Sequence, residues 1–167
     1  SSDLPIRSDF RDALECFSTI NDEELTDSER SFSVLFILFK DFSKIKNYAE
    51  AIEKASWFLS AGISPNKELP KLMDWEQDFD LIVPAVNRVL GYECRSVDYL
   101  HWWTFTGAYM EMGEGRFHSV VSIRNKIRKG KKLEDYEQEY YRENRDVIDL
   151  KSQFSQKKDD FYDEFGV

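Results

Sequence analysis

Apolar residues recur at helical spacing along most of this chain. Phe10, Leu14 and Phe17 line one side of a segment from Ser8 to about Ile20. Thr26 with Glu29 forms a capping box, and Phe32, Leu35, Phe36 and Phe39 follow at i, i+3, i+4 and i+7. Val34, Ile37 and Leu38 fill the flanks, so this second helix is apolar nearly all round and places Phe36 and Phe39 in the expected core. Asn47 and Glu50 make another box for a third helix, closed at Ala61-Gly62 by a left-handed glycine cap. Residues 63–73, with Pro65 and Pro70, read as a loop. Asp74 with Gln77 then opens a helix whose stripe is Trp75, Phe79, Ile82, Val86 and Leu90, ended by Gly91. Pro84 falls on its outer face, where it kinks the helix near Asp80 instead of ending it.

The run Tyr99-Leu100-His101-Trp102-Trp103-Thr104-Phe105 sets two tryptophans side by side in a segment that reads as one helix, capped by Ser96 and stopped by Gly113-Glu114-Gly115. Adjacent helical positions point about 100° apart, so two stripes start here. One is Leu100, Trp103, Gly107, Met110; the other is Trp102, Phe105, Tyr109, Met112. A face that wide predicts a central helix, with Gly107 admitting another backbone. The indole N–H groups need acceptors if buried; His101 and Thr104 are the nearby polar groups. A sixth helix carries Phe117, Val120, Val121, Ile123 and Ile127 up to Gly130, and a last one starts near Leu133. No stretch alternates with period two between turn dipeptides. The expectation is an all-α protein: one compact domain of about seven helices over residues 1–150, and a C-terminal extension over 151–167 that is either a continuation of the last helix or a tail. The expected core contains Phe36, Phe39, Trp75, Leu100, Trp102, Trp103, Phe105 and Phe117.

The formal net charge of −9 argues against general affinity for nucleic acid or an anionic membrane. Val34 to Phe39 is the densest apolar run and far too short to span a bilayer. The chain opens on Ser1 without a methionine, a basic flank or an apolar leader stretch, and Cys16 and Cys94 sit in no metal-ligand or redox spacing. Two unpaired thiols in a reducing cytoplasm is the reading that follows.

Little resembles catalytic chemistry. Glu111, Glu114 and His118 have a loose carboxylate–histidine pattern, but Gly113 and Gly115 interrupt any single rigid face. Asp74, Glu76, Asp78 and Asp80 gather at a helix start, where negative charge suits the dipole and a divalent cation is the less favoured reading. Phosphate-binding loops, nucleophile elbows and HExxH zinc patterns are all missing from the sequence. No enzyme activity, cofactor or metal is therefore expected. The basic run Arg124, Lys126, Arg128, Lys129, Lys131, Lys132 suits a helix C-terminus, and its alternative use is docking an acidic protein partner. Tyr140, Val147, Phe154 and Phe161 recur every seventh residue, widened by Leu150 and Phe165. A helix from 133 to 165 would be about 50 Å long. Its narrow seam either folds back on the domain, binds another copy or another protein, or stays disordered. The candidate partner-binding residues are Phe154, Phe161 and Phe165 with Arg124, Arg128, Lys129, Lys131 and Lys132.

Three stretches carry a family resemblance: Tyr99 to Phe105; Tyr109-Met110-Glu111-Met112-Gly113-Glu114-Gly115-Arg116-Phe117 with Ser122-Ile123-Arg124; and Lys129-Gly130-Lys131-Lys132-Leu133-Glu134 with Glu137 and Tyr140-Tyr141. Asp74-Trp75-Glu76-Gln77-Asp78 and Ala55-Ser56-Trp57-Phe58-Leu59 fit as well. Over about residues 8–150 the chain resembles a family of small proteins encoded in the tail-gene module of siphophages of low-GC bacteria and their prophages. The family's gene position, after the major tail protein and beside the tape-measure gene, implies a tail assembly chaperone. Such a protein would coat the long, helical, partly apolar tape-measure protein before tube subunits polymerise. It would act in the host bacterial cytoplasm and be absent from the mature virion. The implied partners are the tape-measure protein and the major tail protein, with self-association a further expectation; nucleic acid and membrane are not among them. The alternative is a structural tail or tail-completion component retained in the virion. The resemblance brings no catalytic residues with it.

Overall fold

The computed structural model describes residues 4–62 and 70–151. They form α1 (Phe10–Ile20), α2 (Asp27–Leu38), α3 (Tyr48–Leu59), α4 (Phe79–Leu90), α5 (Trp102–Glu111), α6 (Arg116–Arg128), α7 (Asp135–Glu143) and α8 (Arg145–Ile148), with single 3-10 turns at Phe42–Lys44 and Cys94–Ser96. Among the described residues extended pairing is limited to two isolated bridges, Ile6 with Phe39 and Asp9 with His101. The all-α class read from the periodicity is what forms. No described helix is long and apolar enough to cross a membrane. The described residues divide into two compact units, 4–62 with 97–107 and 70–96 with 108–151; α5 contributes Trp102–Gly107 to the first.

In the first unit, Asp9 caps α1 by accepting from the Arg11 N–H, and Phe10, Ala13, Cys16, Phe17 and Ile20 are buried along one stripe. The Thr26–Glu29 capping box starts α2. The buried side of α2 is Arg30, Val34, Leu35 and Leu38, which corrects the expected inner face: Phe36 is 61% and Phe32 52% exposed. A helix apolar all round buries only the side its neighbours cover, and α1 covers the side holding Val34 and Leu38. Arg30 tolerates burial because its guanidinium donates to the Asp22 carbonyl at 2.6 and 2.9 Å and to Asp27 at 2.9 Å. Phe39 is buried as expected, but it leaves the helix in an extended conformation. Asn47 accepts from the Glu50 N–H to start α3, whose end turns through Ala61 (φ 54°) and Gly62 (φ 72°).

The double-tryptophan segment is only partly helical. Tyr99 to His101 run extended because they pair with Ser8–Phe10: Phe10 N donates to Leu100 O at 2.8 Å, Trp102 N to Ser8 O at 2.8 Å, and Leu100 N to the Asp9 carboxylate at 2.9 Å. Helix α5 therefore begins at Trp102, and His101 Nδ1, not Ser96, accepts from the Trp103 N–H. Leu100, Trp102 and Phe105 are core, with Phe105 stacked on Phe10 at 4.8 Å and on Trp102 at 5.8 Å. Trp103 is only half-buried. A Cβ at Gly107 would meet nothing within 4 Å, so among the described residues no backbone packs there. Gly107 and Met110 both face solvent.

In the second unit the Asp74 carboxylate accepts from the Glu76 and Gln77 N–H groups, which closes a turn before the helix. The helix proper begins at Phe79, runs through the exposed Pro84, and ends at Gly91 with φ 80°. Trp75 is half-buried against Tyr109, and Phe117 is buried beside the same tyrosine. On α6 the buried positions are Phe117, Val120, Ile123 and Arg124, whereas Ile127 is exposed. The expected single helix from 133 to 165 does not form. It breaks at Asn144 (φ −127°) and again at Asp149, which is extended. Tyr140, Tyr141, Val147 and Ile148 still converge on one cluster with Val120, Ile123 and Leu133.

Candidate protein-binding surface

The first unit presents an outward aromatic face. Phe32 and Phe36 are one turn apart on α2, Phe42 sits on the following 3-10 turn, and Tyr48 is the first residue of α3. Phe42 is the hub, edge-on to Phe32 at 4.6 Å and to Phe36 at 5.8 Å, and tilted against Tyr48 at 6.0 Å. Such edge contacts satisfy the ring quadrupoles while leaving broad apolar area in water. Phe32, Phe36 and Tyr48 are each about half exposed or more. With 150–250 Å² buried by a fully covered aromatic, together they offer roughly 300 Å², within the range of functional patches on monomers. The Asp41–Lys44 ion pair, 2.6 Å, lies at the rim. Sequence periodicity missed this face because the helix offered two apolar sides and only one could be inward; Arg30, on the buried side, gave no apolar signal for it.

The tryptophan pair clamps the end of α3. Trp102 Nε1 donates to Leu59 O at 2.9 Å and Trp103 Nε1 to Phe58 O at 2.8 Å. Both indoles thus bond carbonyls of the last turn of α3, where backbone acceptors outnumber donors; the Phe58 carbonyl also accepts from the Ala61 N–H at 3.0 Å. The partners expected from sequence, His101 and Thr104, are not used by the indoles. Trp57 leans edge-on against Trp103 at 5.0 Å and is 59% exposed, a smaller second apolar spot.

The basic run divides. Arg124, expected on a docking surface, is buried: Nε donates to Ile148 O (2.7 Å), Nη1 to Leu72 O (3.0 Å) and Asp78 Oδ2 (2.8 Å), and Nη2 to Asp78 Oδ1 (2.8 Å) and Val147 O (2.9 Å). All five guanidinium N–H groups are occupied. Lys126 bonds Glu137 at 2.7 and 2.8 Å; that hydrogen bond raises the lysine's pKa and lowers the glutamate's. Arg128, Lys129, Lys131 and Lys132 are exposed, and none forms an ion pair among the described residues. Phe154, Phe161 and Phe165 lie outside the described residues.

No reactive constellation assembles among the described residues. Of the acidic cluster, Asp78 is committed to Arg124 and to the Asp74 N–H and Asp74 to its turn, while Glu76 and Asp80 are exposed. His118, Glu111 and Glu114 are exposed, and no group of three metal-ligating side chains occurs among the described residues. Cys16 and Cys94 are buried in different units, and burial pushes the Cys16 thiol far up. A groove of about 210 Å³ in the second unit, lined by Leu81, Pro84, Arg88, Met112, Phe117 and His118 among others, brings no nucleophile and base together.

No curated protein and no solved structure matches the chain. The family model for the Bacteriophage Gp15 protein matches residues 1–150, a span that takes in the aromatic face, the tryptophan clamp and the Arg124 centre. By that match, which spans most of its length, the chain belongs to the bacteriophage Gp15 protein family.

Proposed function

We propose that this phage protein is a non-enzymatic tail assembly chaperone that binds the tape-measure protein during tail morphogenesis. The observation that carries the reading is the exposed face of Phe32, Phe36, Phe42 and Tyr48 on a chain of net charge −9. Two phenylalanines one helical turn apart beside a third ring make a shallow apolar seat of the kind that takes an amphipathic helix. The net negative charge of the chain favours keeping it and its cargo soluble. The protein would act in the bacterial cytoplasm, leave before the virion is complete, and need neither nucleotide nor metal.

The test is co-expression with the tape-measure protein of the same gene module, using Phe32→Ser/Phe36→Ser as the variant. Wild type should raise the soluble yield of the partner and copurify with it. The variant should stay folded, losing only its edge contacts with Phe42, and lose the complex, because about half of each side chain faces water. Binding should survive moderate salt, since apolar contacts are screened little. A complex untouched by the variant would sink the assignment of this face. Stoichiometric recovery of the protein in purified virions would instead favour a structural tail or tail-completion component.

A further inference from the structure

We propose that residues 159–165 of this chain dock on the exposed basic surface of Arg128, Lys129, Lys131 and Lys132 in the same molecule. The surface lies where α6 ends and turns through Gly130 (φ 65°) towards α7. Its four cations have no ion-pair partner among the described residues, although the chain as a whole is strongly acidic. The nearest acids are otherwise occupied or dipole-placed: Glu137 holds Lys126, the Glu134 carboxylate caps α7, and Asp135 lies in its first turn. Two apolar side chains flank the cations, Ile127 at 42% and Tyr136 at 72% exposed. The surface therefore asks for a ligand both anionic and aromatic.

Residues 159–165 read Asp-Asp-Phe-Tyr-Asp-Glu-Phe, four acids interleaved with three aromatic rings. The match is in sign, in number and in the apolar component. It is also within reach. Arg124 Nε holds Ile148 O at 2.7 Å, and Gln77 holds the chain onward to Lys151, accepting from its N–H at 2.9 Å. Arg128 is one turn, about 6 Å, beyond Arg124. The spacer 152–158, which includes Lys157 and Lys158, can span about 23 Å when extended, more than that separation requires. A tether this short gives an effective concentration in the millimolar range, so a contact weak between separate molecules is filled within one.

A nitroxide on Gly166→Cys of the full chain tests this directly, since Cys16 and Cys94 are fully buried and do not compete for the label. In dilute, isotope-enriched protein the amide signals of 127–136 should lose intensity. Lys129→Glu/Lys131→Glu/Lys132→Glu should restore them, and adding Asp159→Lys/Asp160→Lys/Asp163→Lys should bring the loss back. A mixture of labelled unenriched protein with enriched unlabelled protein should show no loss. The proposal is overturned if 127–136 keep full intensity, if the loss appears only in that mixture, which would make the contact intermolecular, or if it persists after charge reversal. Loss centred on Phe32, Phe36 and Tyr48 would assign the segment to the aromatic face and equally overturn it.

Discussion

Arg124→Ala is expected to destabilise the second unit by about 3–5 kcal/mol, the usual cost of removing one partner of a buried ion pair. The side chain of Arg124 is 5% and that of Asp78 1% exposed, so neither charge is solvated in the fold. Removal leaves Asp78 with the Asp74 N–H as its remaining hydrogen-bond donor. It also strips the Leu72, Val147 and Ile148 carbonyls of a donor at 2.7–3.0 Å. Each buried carbonyl left dry costs about 1–3 kcal/mol, but water can enter a polar cavity of guanidinium size, so these losses do not sum. Arg124→Lys should fall between, since three ammonium donors cannot serve five acceptor contacts. Arg124→Met with Asp78→Leu should recover much of the loss, because an apolar pair removes the stranded charge. Segment-resolved hydrogen exchange under a urea series is the suitable assay, since two compact units need not unfold together. The amides of Ile148, Asp149 and Lys151 should lose protection first. A loss below about 1 kcal/mol, the range of exposed pairs, would refute the claim that this centre is buried and holds the chain's return across α6.

The tryptophans should separate in thermal melts. Trp102→Ala removes a fully buried ring and should cost about 3–5 kcal/mol, whereas the half-buried Trp103→Ala should cost about 1–3 kcal/mol; equal losses would refute the clamp geometry. Gly91→Ala should destabilise by about 1 kcal/mol through its left-handed φ of 80° alone, because nothing lies within 4 Å of an added Cβ. A neutral result would mean the helix end relaxes. The Lys126–Glu137 bond lowers the glutamate's pKa, so its stabilisation is complete above the unfolded value near ~4.3 and is lost as pH falls through the lower folded value. The melting-temperature gap between wild type and Glu137→Gln should thus be flat around neutrality and close in acid. A gap unchanged at about pH 2 would assign the stabilisation to packing.

Local chemistry was legible in the sequence. Thr26 with Glu29, Asn47 before Glu50, Gly91, and Gly130 each mark a helix end where expected, because a cap depends only on a few neighbouring residues. The all-α class followed from those ends and the periodicity between them, and the central motifs were enough to point to a phage family. The tertiary structure decided which of two apolar sides had a neighbour, and so sent Leu35 inward and Phe36 out to make the candidate binding face. It also turned Tyr99 to His101 from helix to extended chain, because Ser8–Phe10 offered backbone partners that spacing could not reveal. Arg124 looked like one cation in a surface run. It is buried because Asp78 and three carbonyls, far away in sequence, supply every acceptor it needs. Periodicity reports that a side chain is apolar and where it points along its own helix; whether that direction meets protein or water depends on elements tens of residues away.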